Sequence, residues 1–233
     1  MPFYQKITIE ETCFVAIWQL TESVEALLEQ INFKVLQFYP EKWAALQHPQ
    51  KKRQWLAVLC LLQQLFQSSE NDNKTADPLL KYHPSGKPYL PQFPQHQISI
   101  SHTSKWVVVA VNTQGGPIGV DVELISPKAL NIAPRFCSHY ELRLIREVEP
   151  SRLQASYATI FWTCKEAMYK LVGRKGLSFS ENIRITLFSD PYPDDWAEMD
   201  GEVLIAETRQ VFNCKLQYRL LEKDHFIAIA TKA

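Results

Sequence analysis

The run Gly115-Gly116-Pro117 interrupts the chain near its midpoint and limits everything that can be built around it. Glycine frees φ and proline removes a backbone donor, so neither a helix nor a strand continues smoothly through such a run. Before it lie two β-type segments, Gln97–Ser101 and Trp106–Val111, close enough to pair as a hairpin. After it a new strand starts at Ile118. The break therefore predicts two domains, residues 1–115 and 116–233. With 46% hydrophobic residues over 233 positions, there is enough apolar side chain to fill their cores.

The rest of the pattern is mixed. Residues 7–18 read as a strand and 22–31 as a short helix. From Pro49 to Phe66 the apolar residues Trp55, Leu59, Leu62 and Phe66 recur at helical spacing. Ser68–Pro78 is polar and reads as a loop, and Pro84-Ser85-Gly86-Lys87-Pro88 as a turn. Helices are expected over 139–149 and 152–172, and antiparallel strands over 202–206, 211–221 and 225–231. Runs of strands between runs of helices place the chain in the α+β class.

Lys plus Arg and Asp plus Glu balance at 25 each, so no bulk field draws the chain to nucleic acid or to a membrane surface. Five scattered cysteines without a CxxC pair suit a reducing compartment better than a disulfide framework or structural zinc. Glu10 and Glu11 fall where a signal peptide needs apolar residues, and the apolar run Trp55–Leu62 is short of the roughly 18 residues needed to span a bilayer. The expectation is a soluble, cytoplasmic protein.

Chemistry concentrates in a few segments. In Ile118-Gly119-Val120-Asp121-Val122-Glu123 strand alternation puts Ile118, Val120 and Val122 on one face and Gly119, Asp121 and Glu123 on the other. Two carboxylates two residues apart suit a hard cation such as magnesium, and Gly119 is expected to leave open space beside them. The bland alternative is a solvated acidic face. In Phe161-Trp162-Thr163-Cys164-Lys165-Glu166-Ala167-Met168-Tyr169-Lys170 a helical wheel puts Tyr157, Phe161, Cys164, Met168 and Leu171 on one apolar face. Trp162, Glu166, Tyr169 and Lys170 fall opposite, with Lys165 on the flank. Glu166 and Lys170 are i, i+4 neighbours, which on a surface would be only a weak ion pair. In Ile98–Thr103 the isoleucines face inward and Ser99 and Ser101 outward, which delivers His102 and Thr103 to a strand end. Gly86-Lys87-Pro88 sets a lysine in a turn, and Lys51-Lys52-Arg53 crowds a helix start that favours anions.

In order and spacing, GKP, ISISHT, IGVDVE, FWTCKEAMYK and GRKGLSF together resemble the larger, two-lobed, surfactin-synthetase-activating type of 4′-phosphopantetheinyl transferase, over residues 82–188. The resemblance implies a pseudodimer of two similar lobes, each a small antiparallel sheet packed on helices. It implies transfer of 4′-phosphopantetheine from coenzyme A to a serine of an apo acyl, peptidyl or aryl carrier protein, with release of adenosine 3′,5′-bisphosphate. By motif match Asp121, Glu123 and Glu166 would hold Mg²⁺, Glu166 would also act as base, and Lys170 would neutralise the pyrophosphate with Lys165 beside it. Asp121, Glu166 and Lys170 are thus the catalytic candidates. Lys87, Pro88, Ser101, His102, Lys165, Lys170 and Arg53 are the candidates for coenzyme A. A monomer is expected.

Two other readings remain at this point. A metal-dependent nuclease also uses an acid followed by Glu-x-Lys, but its Glu-x-Lys sits on a strand and DNA binding calls for a basic surface. An inactive coenzyme A- or carrier-binding module is the other, and it does not account for all three carboxylates and both lysines.

Overall fold

The computed structural model describes residues 3–31, 36–67, 78–188 and 195–233; apart from Pro78, the expected loop Ser68–Pro78 lies outside them. The chain forms two compact units, residues 1–115 and 116–233. Each combines antiparallel strands with packed helices, which is the α+β class.

The first unit contains β1 (Phe3–Glu10), β2 (Cys13–Gln19), α1 (Val24–Gln30), α2 (Pro40–Ala45) and α3 (Pro49–Gln67). It continues with β3 (Lys81–Tyr82), β4 (Pro88–Tyr89), β5 (Gln97–His102) and β6 (Trp106–Asn112). Its main sheet has the order β1-β2-β6-β5, with β3 and β4 paired separately. The strand expected over 7–18 is a hairpin, with Glu10 opposite Cys13 across a tight turn. Glu11 and Thr12 carry no glycine, asparagine or proline signal, which is why the turn was not legible. Ala16, Trp18, Val107, Val109 and Val111 share a core with Leu56, Leu59 and Leu62 of α3.

The second unit holds β7 (Ile118–Leu124), α4 (Pro127–Phe136), α5 (His139–Glu147), α6 (Gln154–Val172), β8 (Ile183–Leu187), β9 (Ala197–Ile205), β10 (Gln210–Leu221) and β11 (His225–Lys232). The sheet order is β7-β11-β10-β9-β8, so β7 is an edge strand and Asp121 pairs across to Ala228. Helix α4 has no counterpart among the expected elements, and it carries Pro134, a residue that disfavours a helix interior. Its start is well signalled nonetheless: Ser126 Oγ accepts from Lys128 N at 3.0 Å, and Pro127 occupies the first turn. Helix α6 ends where Gly173 turns left-handed at φ 64°, its N–H donating to Tyr169 O at 3.0 Å.

How closely α6 lies on β7 is decided by Gly119. A Cβ built there would stand 1.9 Å from Ala167 O and 2.7 Å from Leu171 N. The space expected beside the carboxylates is therefore filled by the helix backbone. That contact brings α6 near enough for its side chains to meet those of β7.

Candidate functional site

Asp121, on the β7 face that meets α6, is buried to 4% exposure. Its Oδ1 accepts from Lys170 Nζ at 2.7 Å, and the same ammonium donates to Val120 O at 3.1 Å. Two residues along, where β7 begins to emerge, Glu123 Oε1 accepts from Trp162 Nε1 at 3.1 Å. The tryptophan on the polar side of the helical wheel is thus a carboxylate anchor. Glu166 and Lys170, one helical turn apart, complete the group.

These charges feel one another. Burial, then the Asp121 and Glu123 charges, push the Glu166 carboxyl up to about 7, against the pull of Lys170. Burial and Asp121 also raise Glu123, while the Trp162 hydrogen bond and Lys170 lower it. Three half-buried or buried carboxylates repelling one another, with oxygen donors only, form a donor set suited to a hard divalent cation. Among the described residues, however, no three carboxylate, imidazole or thiol groups stand as close as ligands around one ion. Lys170 supplies the compensating charge at Asp121.

Lys165 does not join this group. It is fully buried and pairs with Glu141, also fully buried, at 2.7 Å. Its Nζ also donates to Phe136 O, Phe179 O and Ile183 O at 2.7–2.8 Å. With every donor committed inside the fold, it cannot reach a phosphate, and the expected coenzyme A contact by Lys165 is corrected to an interior tie. The wheel placed it on the flank; α4, α5 and β8 cover that flank.

Glu141 is fully satisfied as well. Its Oε2 accepts from Ser138 N at 2.6 Å and its Oε1 from Ile185 N at 2.8 Å. The signal was present: Ser138-His139-Tyr140-Glu141 has capping-box spacing, and the box is formed.

The remaining candidates lie in the first unit. His102 ends β5 and is exposed, whereas Ser101 beside it is buried at 7%. Lys87 closes the tight turn before β4, where its carbonyl accepts from His83 N at 2.9 Å; burial lowers its ammonium pKa. Pro88 faces Tyr82 in the β3–β4 pair, and β4 packs beside β5, so these four residues share one region. Arg53 is tied locally instead: Nη2 donates to Leu20 O at 2.7 Å and Nη1 to Gln50 Oε1 at 3.3 Å. Those bonds fasten the start of α3 to the end of β2 and leave less of the guanidinium to offer an anion.

Residues 117–230 match the model of the 4′-phosphopantetheinyl transferase superfamily. A 4′-phosphopantetheinyl transferase of Bacillus subtilis is 40% identical over 93 residues, 40% of either chain. The 4′-phosphopantetheinyl transferase psf-1 of Bacillus pumilus is 31% identical over 148 residues, 64% of this chain and 58% of the relative. The 4′-phosphopantetheinyl transferase HetI of a Nostoc species is 32% identical over 111 residues, 46% of either chain. The matched stretch thus spans about 40–60% of the length of these curated relatives.

Proposed function

We propose that this chain, whose residues 117–230 belong to the 4′-phosphopantetheinyl transferase superfamily, moves 4′-phosphopantetheine from coenzyme A to a serine of an apo carrier protein. Adenosine 3′,5′-bisphosphate is the other product. One observation carries the reading: Asp121, Glu123, Glu166 and Lys170 interact as one electrostatic group where β7 meets α6.

In the proposed step the serine Oγ bonds to the phosphorus that carries the pantetheine arm. The P–O bond within the pyrophosphate breaks, and its electron pair leaves with the adenosine bisphosphate. The serine proton passes to Glu166, the carboxyl one helical turn before Lys170. Lys170, only partly buried, offers positive charge to the phosphate oxygens. Asp121, Glu123 and Glu166 would hold a Mg²⁺ ion, which when bound neutralises pyrophosphate charge and stabilises the departing oxygen. In the first unit we assign Lys87, Pro88, Ser101 and His102 to coenzyme A.

The carrier, by this reading, lands on residues 125–152, which bear Lys128, Arg135, Arg143, Arg146 and Arg152 against Glu141, Glu147 and Glu149. Glu141 is buried, so the exposed balance is more basic than the sequence count. The neutral total charge supports neither a nucleic-acid nor a membrane partner, and we infer a cytoplasmic monomer. Among the described residues, no helix is long and apolar enough to cross a membrane.

The test is incubation with coenzyme A, Mg²⁺ and a panel of apo carrier proteins, followed by mass spectrometry. A phosphopantetheine adduct on the carrier serine, lost with Asp121→Asn and with a chelator, is expected. No adduct on any acyl, peptidyl or aryl carrier would overturn the proposal.

A further inference from the structure

We propose that Lys165 is a positioning residue that fixes the Glu123 carboxylate through Trp162. The connection is short and every link is a contact. Lys165 Nζ fastens the carbonyls of Phe136 at the end of α4 and of Phe179 in the segment after α6, at 2.8 Å each. The rings of those same two residues hold the Trp162 indole: Phe136 meets it edge-on at 5.0 Å between centroids, and Phe179 stacks on it at 5.4 Å. The indole then donates to Glu123 Oε1 at 3.1 Å.

The indole has to be held from outside. A cleft of about 190 Å³ opens beside it, lined by Trp162, Glu123, Ala129, Ile132 and Thr159, so the ring has room to move on that side. Its seat comes from the two phenyl rings. Their backbones converge from distant parts of the chain, 43 residues apart in number, onto one buried ammonium whose charge Glu141 balances. A lysine at this position therefore does what a hydrophobic residue could not: it binds three separate carbonyls, the third being Ile183 O at 2.7 Å. Buried pairs of this kind contribute little net stability over an apolar replacement; here the directional bonds are assigned the task of fixing one arrangement.

The catalytic consequence rests on the transferase reading; the geometric one does not. The experiment replaces both charges, Lys165→Met with Glu141→Leu, so that no lone buried charge remains. Phe179→Leu is a second variant that leaves the ion pair intact and removes only the stacked ring. The first readout is hydrogen exchange of the Trp162 indole N–H in ¹⁵N-labelled protein, assigned by Trp162→Phe. Exchange at least about tenfold faster in both variants, with the Trp18 indole unchanged, is expected. An unchanged Trp162 rate in the folded variants would overturn the proposal. The second readout is transfer kinetics. A fall in kcat of about tenfold or more with coenzyme A affinity within about twofold is expected, since the residue does not touch the cofactor. Weakened coenzyme A binding at constant kcat would instead return Lys165 to the cofactor site and overturn the positioning role. If the double variant does not fold, the milder pair Lys165→Gln with Glu141→Gln, which removes the ammonium but keeps polar groups at both positions, is read by the same two measures. Should the wild type transfer nothing, the proposed function fails, and the exchange rates still judge this inference.

Discussion

Lys170 Nζ lies 2.7 Å from Asp121 Oδ1, joining two side chains 49 positions apart on the edge strand and the central helix of the second unit. Asp121 is almost fully buried and Lys170 about a quarter exposed, so the pair sits at the mouth of the fold. The surface i, i+4 pairing of Lys170 with Glu166, the bland reading of the helix, gives way to this tertiary contact.

Lys170→Met should lower transfer by more than about tenfold, since on the proposed function it removes the cation that neutralises the phosphates. It should also cost about 1–3 kcal/mol of stability, because the buried Asp121 carboxyl loses its hydrogen-bonding partner Lys170. Steady-state kinetics and urea unfolding check the two effects. Near wild-type turnover in the folded variant would remove Lys170 from the mechanism.

Gly119→Ala should be among the most damaging single-methyl additions in this unit. The new Cβ would stand 1.9 Å from Ala167 O, a backbone atom that cannot swing aside. Helix and strand must separate, at a cost of about 3 kcal/mol or more. Thermal unfolding measures it, and a melting point within about two degrees of wild type would show that α6 tolerates a lift.

Glu166 carries a pH signature. Its folded pKa is raised from 4.5 to about 7, so the folded state holds this proton more tightly than the unfolded chain does. Stability is therefore lost as pH rises from the unfolded value, and the whole loss is in place above the folded one. Glu166→Gln in metal-free buffer should gain stability relative to wild type at about pH 8 and gain none below about pH 4.5. The same difference at both ends of the range would mean that the carboxyl is not held in its neutral form.

His102→Ala and Lys87→Ala should each weaken coenzyme A binding, measured by calorimetry with no carrier present. His102 is exposed at the end of β5, and the Lys87 ammonium, disfavoured by burial, would be relieved by a phosphate. Unchanged affinity in both would move the cofactor away from the β4–β5 region.

Arg143→Glu with Arg146→Glu should raise the carrier KM and flatten its salt dependence while leaving coenzyme A affinity alone. Arg143 stands in an exposed, loose pair with Glu147 at 3.9 Å and over the Tyr140 ring, so its charge is open to a partner. Carrier kinetics insensitive to the reversal at low salt would place docking on another face.

Local pattern alone determined a good deal here. The alternation of Ile118–Glu123 identified a strand with two acids on one side, and a glycine-ended helix carrying Glu166 and Lys170 was readable from spacing and Gly173. Both depend only on the period of the backbone and on which residues cap it. The turn in the first hairpin and helix α4 escaped: Glu11-Thr12 lacks turn residues, and Pro134 disfavours the interior of a helix that packing nonetheless sustains.

What tertiary structure decided is seen in two lysines of one helix. Lys165 and Lys170 are alike in chemistry and five positions apart, yet the first is sealed against Glu141 and three carbonyls while the second stands beside Asp121 within reach of solvent. A helical wheel assigns each an angle, but not which angles are covered. Helix α6 has the sheet on one side and α4 and α5 on another, so the sector a wheel would call the flank is interior. The burial that separates a structural cation from a reactive one is set by neighbours brought from elsewhere in the chain, and no local pattern records them.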